Sequence, residues 1–260
     1  MELCEGDLTN YVTGELKKIP KNSLDDKIIL GEVTLGLAYI HSKGMIHKDL
    51  KPENILLWRS PKSSLVLAKI ADFGFAKQLK PGKDEFSETL HPGTKSCMAP
   101  ELLAVKEGEK VPATFEGDAY ALGITIAYIV LKGRHPFGSK LLQPLLMSRG
   151  CDPILLGELN WDVTHLILQL TKNEPKERPS VAFVIYHPYF VLTNENTKVH
   201  FEEKINEYFE ICQDNCKTTD NVFRKVFEKQ NIEMWRDSIS RQKENERNSN
   251  MSQLLEKVFL

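Results

Sequence analysis

The sequence predicts an α+β fold, mainly α, and three observations carry that prediction. Apolar residues recur at helical spacing in several separate stretches, two short β-type runs flank a polar turn, and the apolar run from Ala119 to Leu131 reads as a buried helix. Helical apolar stripes also run through residues 191–260, which read as a helical extension to the part over 1–190.

With 260 residues the chain can hold one large domain, or one domain and part of another. A content of 41% hydrophobic and 27% charged residues is that of an ordinary globular protein, and a net charge of -2 gives no bulk electrostatic footprint for nucleic acid or membrane. The five cysteines, Cys4, Cys97, Cys151, Cys212 and Cys216, form no C-x-x-C pair, so neither a zinc site nor a disulfide framework is supported. A reduced, cytosolic compartment fits. The acidic start Met1-Glu2-Leu3-Cys4-Glu5 is no signal peptide, and Ala119–Leu131 is too short to span a bilayer.

In chain order, Ser23 to His41 reads as an amphipathic helix. Leu30, Val33, Leu37 and Ile40 line one face, Ser23 and Asp26 form the cap, and Gly44 follows the end. This helix leads into Ile46-His47-Lys48-Asp49-Leu50-Lys51-Pro52-Glu53-Asn54. Ile55 to Trp58 and Leu65 to Ile70 read as strands, and they bring Asp72-Phe73-Gly74 beside Asn54. Ala99-Pro100-Glu101 comes next, then a helix from Asp118 to Leu131 closed by Gly133. Helices are expected at Trp161 to Leu170 and at Ser180 to Tyr186, the last stopping before Pro188.

Three motifs in this order and spacing resemble a protein kinase. His47-Lys48-Asp49 to Asn54 matches the catalytic loop H-R-D-L-x-x-x-N except that Lys48 stands where Arg is usual. The resemblance assigns Asp49 as the group that orients the substrate hydroxyl and accepts its proton. It assigns Lys51 to the transferring phosphate, and Asn54 and Asp72 to magnesium. Glu2, Cys4 and Glu53 join Lys51, Asn54 and Asp72 as nucleotide-binding candidates, with Met1 to Cys4 similar to the hinge that holds adenine. His47 is assigned to support of the segment at Asp72, Asp118 to anchoring the catalytic-loop backbone, and Glu101 to a structural pair with Arg178. Ser87 and Thr89, in the polar half of the segment from Phe75 to Glu101, are the phosphosite candidates. No G-x-G-x-x-G and no V-A-x-K precede the catalytic loop, so the large lobe is expected to start at its hinge with the small lobe missing.

Beyond residue 190 the apolar residues Phe201, Ile205, Phe209 and Cys212, then Val222, Val226 and Phe227, then Ile232, Trp235 and Ile239, recur at three to four residues. Disorder would not carry such stripes. Gly36-Leu37-Ala38-Tyr39-Ile40-His41, Gly133-Arg134-His135-Pro136-Phe137-Gly138, His187-Pro188-Tyr189-Phe190 and Ser252-Gln253-Leu254-Leu255 are together similar to the inositol-requiring kinase/endoribonuclease family of the unfolded-protein response, with ribonuclease L as a near relative.

That resemblance implies an ATP- and Mg2+-dependent serine/threonine kinase whose protein substrate is a second copy of itself. It implies a homodimer whose joined tails cleave RNA, with residues 191–260 the incomplete start of an all-α ribonuclease-type domain. RNA contact would then come only through the missing ribonuclease part, and no residue here is assigned to it. The segment is expected in the cytoplasm without membrane contact, the full-length family protein in the endoplasmic reticulum membrane, and the 260 residues alone to have little or no activity. Two other readings stay open. One is a non-catalytic, nucleotide-gated dimerisation module, and the other is an ordinary soluble serine/threonine kinase with an unrelated helical tail.

Overall fold

A computed structural model describes residues 3–60, 65–79, 85–89 (backbone only), 95–105 and 109–191. Glu2 and the extension beyond residue 191 lie outside these residues.

The fold is mixed α/β and helix-dominated. A central helix pair forms its axis: α2 (Asp26–Ser42) and α4 (Phe115–Val130). The four apolar positions read from the α2 sequence, Leu30, Val33, Leu37 and Ile40, are all buried. Helix α4 is apolar on nearly every side and is buried along most of its length, as a helix with no polar face must be. Gly123 lets α6 (Trp161–Leu170) come close: a Cβ there would lie 2.8 Å from Leu170 Cβ. Helix α1 (Leu8–Thr13), α3 (Pro100–Leu103), α5 (Gln143–Ser148), α7 (Val181–Val184) and α8 (Pro188–Val191) complete the helical part.

Among the described residues three small antiparallel sheets accompany the helices. Strand β1 (Gly6–Asp7), β3 (Ile55–Arg59) and β4 (Val66–Ile70) form one, in the order β1-β3-β4, with Leu57 opposite both Gly6 and Ala68. Glu32 of α2 accepts a hydrogen bond from Ala68 N at 2.8 Å and so holds the edge strand β4 to the helix. Strands β2 (Met45–Ile46) and β5 (Lys77–Gln78) pair across the catalytic loop. Strand β6 (Glu85–Thr89) pairs with β7 (Lys110–Thr114), with Ser87 opposite Pro112.

Several boundaries differ from the sequence reading. The cap of α2 is Asp25, whose carboxylate accepts from Lys27 N at 2.8 Å; Ser23 and Leu24 are instead tied back by Ser23 N to Pro20 O and Leu24 N to the Tyr11 hydroxyl. Helix α4 begins at Phe115, because Thr114 caps it through Gly117 N. The expected helix from Ser180 to Tyr186 is a single turn, α7, followed by the separate α8 that begins at Pro188. Between them His187 is fully buried: its Nδ1 accepts from Tyr189 N at 3.1 Å, so its Nε2 carries the proton and donates to His165 Nδ1 at 2.9 Å. Among the described residues no helix is long and apolar enough to cross a membrane.

Candidate active site

The site is built on the loop between β2 and β3, and Asp118 fixes that loop. Asp118 lies in the first turn of α4, where the helix dipole favours a carboxylate. It is buried, and its two oxygens are used separately. Oδ2 accepts from His47 N at 2.7 Å and lies 2.9 Å from His41 Nε2; Oδ1 accepts from Lys48 N at 2.8 Å. Lys48 has φ of 71°, a left-handed backbone that a lysine adopts only at a cost. The bond from its amide to Asp118 offsets that strain. One buried carboxylate thus sets the direction in which the chain leaves His47.

The turn at Lys48 presents Asp49 to two partners of opposite kind. Lys51 Nζ donates to Asp49 Oδ2 at 2.7 Å, and Asn54 Nδ2 donates to the same oxygen at 3.0 Å and to Asp49 O at 2.8 Å. With its amide nitrogen engaged, Asn54 has its amide oxygen as the atom to offer a cation. Backbone bonds then locate the next segment: Ala71 N donates to Asn54 O at 2.8 Å, and His47 Nε2 meets Ala71 O at 3.1 Å. Asp72 follows directly, in a left-handed conformation with φ of 61°, exposed, and accepting from Gly74 N at 3.2 Å. The His47 ring packs edge-on against Phe73 at 5.2 Å between centroids. Asp49, Lys51, Asn54 and Asp72 are therefore brought to one place, with His47 behind them.

An amide oxygen on Asn54 and a carboxylate on Asp72 are hard oxygen donors. Their number suits magnesium, which keeps waters and takes phosphate oxygens for the rest of its octahedron. The donor set fits that ion.

The pair at Glu101 lies apart from the catalytic loop. Arg178 grips the Glu101 carboxylate with both terminal nitrogens at 2.7 Å, and also donates to Glu116 O, Lys172 O and Asn173 O. Its guanidinium side chain is fully buried and lies 5.0 Å over the Tyr120 ring. A planar fork satisfying five acceptors is work that lysine cannot do.

Of the remaining sequence candidates, Cys4 is half-buried and Glu53 exposed; Glu5 N donates to Leu57 O and holds the start of the chain to the sheet. Ser87 and Thr89 lie on β6, paired opposite Pro112 and Lys110 of β7. Lys77 is a neighbour the sequence reading did not single out. Burial lowers the Lys48 ammonium pKa, Lys77 adds to the lowering, and Asp118 opposes it. Lys77 lies in β5, paired opposite Ile46, so only the strand pairing brings the two cations together. Burial also raises the thiol of Cys97 to about 12, which makes it inert at neutral pH.

With this geometry in view, comparison with known proteins is direct. The model of the protein kinase domain matches residues 1–190. The chain is 31% identical over 217 residues to human serine/threonine-protein kinase/endoribonuclease IRE2, covering 81% of this chain and 23% of that protein. It is 29% identical over 235 residues to the sensor for unfolded proteins in the ER ire1 of Schizosaccharomyces pombe, with 81% and 22% covered. It is 33% identical over 199 residues to serine/threonine-protein kinase PLK4 of Drosophila virilis, with 76% and 24% covered. The chain spans about a quarter of the length of these curated relatives. Matched over most of its length by this model and these relatives, the chain belongs to the protein kinase family, on its serine/threonine side.

Proposed function

We propose that the chain is the large-lobe part of an ATP-dependent serine/threonine kinase of the kinase/endoribonuclease sensor type. The observation that carries this reading is the convergence of Lys51 and Asn54 on one oxygen of Asp49, with Asp72 one residue beyond the backbone that Asn54 and His47 both hold.

In this reading Asp49 orients the acceptor hydroxyl and takes its proton. The hydroxyl oxygen bonds to the γ-phosphorus as the bond from that phosphorus to the β-phosphate oxygen breaks, and ADP leaves. Lys51, already within reach of Asp49, steadies the charge on the transferring group. Asn54 and Asp72 would hold Mg2+, which supplies charge neutralisation on the phosphates. Glu2, Cys4 and Glu53 complete the nucleotide contacts, Cys4 through the hinge. Ser87 and Thr89 are the acceptors in a second copy, and Lys48 with Lys77 is the cation pair to receive the phosphate once it is there. RNA cleavage and a place in the endoplasmic reticulum follow the relatives' names; homodimerisation, residues 191–260 as the start of joined ribonuclease tails, and a cytoplasmic position belong to the same proposal.

The test is phosphate transfer from ATP by the full-length protein. Asp49→Asn is expected to lower the rate at least 100-fold, the usual scale for a positioned base. Mg2+-dependent nucleotide binding with no transfer in the unaltered protein would overturn the reading in favour of a nucleotide-gated dimerisation module.

A further inference from the structure

A groove of about 580 Å³ runs beside the catalytic loop. Glu53, Ser96, Tyr128, Arg134, Lys140 and Gln143 are among the residues that line it. Its wall around His135 and Gln143 is held in place. His135 Nε2 donates to Ser96 O at 2.7 Å, its Nδ1 accepts from Phe137 N at 3.3 Å, and Gln143 donates to Gly138 O at 2.8 Å. Burial lowers the pKa of His135, so the imidazole is neutral at neutral pH and brings no charge. The positive charge of the groove comes from Arg134 and Lys140, both exposed.

The wall continues into an apolar face. Leu141, Leu142, Leu145 and Ile154 are 88%, 46%, 45% and 57% exposed. Exposed apolar residues singly need no explanation, but three leucines and an isoleucine on one short helix and its flanks are of the kind that marks an interaction surface. Between Arg134 and Ile154 the charged residues are Arg134, Lys140 and Arg149 against Asp152, so this face is basic in a chain whose net charge is -2. A partner that fits it is acidic and apolar, and carries a hydroxyl.

The same chain contains such a segment. Glu85-Phe86-Ser87-Glu88-Thr89 has two acids, one aromatic residue and two hydroxyls. In its own chain this segment is strand β6, where Ser87 lies opposite Pro112. Pro112 has no N–H to give the ladder, so the pairing is weakest at the acceptor residue.

We infer that Arg134 and Lys140, with the leucine face beside them, are specificity-determining residues that select acidic acceptor segments, and that the segment they select is residues 85–89 of a second copy. The inference rests on the phosphotransfer reading above and names the surface that chooses its substrate.

The experiment uses two full-length copies. One is the enzyme; the other carries Asp49→Asn and serves as acceptor, with phosphate at Ser87 and Thr89 read by mass spectrometry. Arg134→Glu with Lys140→Glu in the enzyme copy is expected to slow transfer roughly tenfold, the scale of losing and reversing two exposed charge pairs. Glu85→Lys with Glu88→Lys in the acceptor copy should do the same, and the two reversals combined should recover most of the rate. A rate within twofold of normal for the enzyme variant, or a combined pair no faster than either alone, overturns the inference.

Anisotropy of a fluorescein-labelled peptide of residues 82–92 is measured alongside, at low and physiological salt. Binding should weaken with salt and in the R134E/K140E variant, since exposed pairs are screened. Peptide binding that depends on Arg134 and Lys140 in a protein that transfers no phosphate would sink the kinase reading and leave this inference standing. Normal transfer and binding in R134E/K140E would do the reverse.

Discussion

The catalytic loop and the segment from Gly133 to Ile154 both adjoin the buried helix α4, and they differ in what their side chains are left to do. The catalytic loop is fixed by side chains: Asp118 takes two backbone amides and lies against His41, while Lys51 and Asn54 fix the Asp49 carboxylate. The outer loop is fixed by backbone bonds such as Leu155 N to Pro136 O and Gln143 N to Ser139 O together with the His135 and Gln143 side chains, and it leaves leucines and cations exposed. The difference follows from the two tasks. Phosphoryl transfer needs a carboxylate held to within a fraction of an ångström, which a buried and fully bonded network provides. The substrate selection inferred for the outer segment needs exposed side chains on a scaffold that does not move.

Three substitutions or conditions test that contrast, beginning with the largest effect. Asp118→Ala would leave the amides of His47 and Lys48 without an acceptor in the interior. At roughly 1–3 kcal/mol for each buried unsatisfied amide, the loss is about 2–6 kcal/mol. Urea unfolding should show it as a lower midpoint, and a change under 1 kcal/mol would mean that the loop is held by something other than Asp118.

The second effect comes from α6 and the residue ahead of α8. His165 and His187 are buried and share a hydrogen bond. Burial is the main cause that lowers their pKa values, to about 4 and about 3, with Lys172 adding to the first and His165 to the second. Both are neutral in the folded and unfolded chain above pH 6.5. As the pH falls below that value the unfolded chain takes up protons that the folded one refuses, so stability drops until the folded pKa values are reached. Between pH 7 and pH 5 the loss is on the order of 2–4 kcal/mol for two such groups. His187→Gln should flatten this slope, and an equally steep slope in that variant would assign the acid sensitivity elsewhere.

The smallest effect belongs to the outer face. Leu145→Ser should change stability by no more than about 0.5 kcal/mol, because the side chain is already 45% exposed. A loss of 2 kcal/mol or more on thermal unfolding would show that the leucine face is part of the core and erase the contrast.

How much of this was legible beforehand differs residue by residue. Asp49, Lys51, Asn54 and Asp72 could be read as a set because phosphoryl transfer constrains residue type and spacing along a short stretch of chain. Helix α6 was legible to the residue, since Trp161 to Leu170 has a regular apolar stripe. The cap of α2 was misplaced by two residues, because Ser23 and Asp25 both have the chemistry of a cap and only the Tyr11 hydroxyl on Leu24 N decides between them. The pairing of β6 with β7 had no local signal: Glu85 to Thr89 is polar, and its partner contains a proline.

The sequence by itself determined what is local. It determined the helical stripes of α2 and α6, the order of the three kinase motifs and the identity of the acid, amide and amine that meet at Asp49. The tertiary structure alone decided which distant groups serve them. Asp118 reaches His47 and Lys48 across 71 and 70 residues, Arg178 reaches Glu101 across 77, and His165 finds His187 across 22. Each is a charged or polar group taken out of water, and such a group persists only where the fold supplies a partner. A linear sequence shows that the group is there and not which partner it will find.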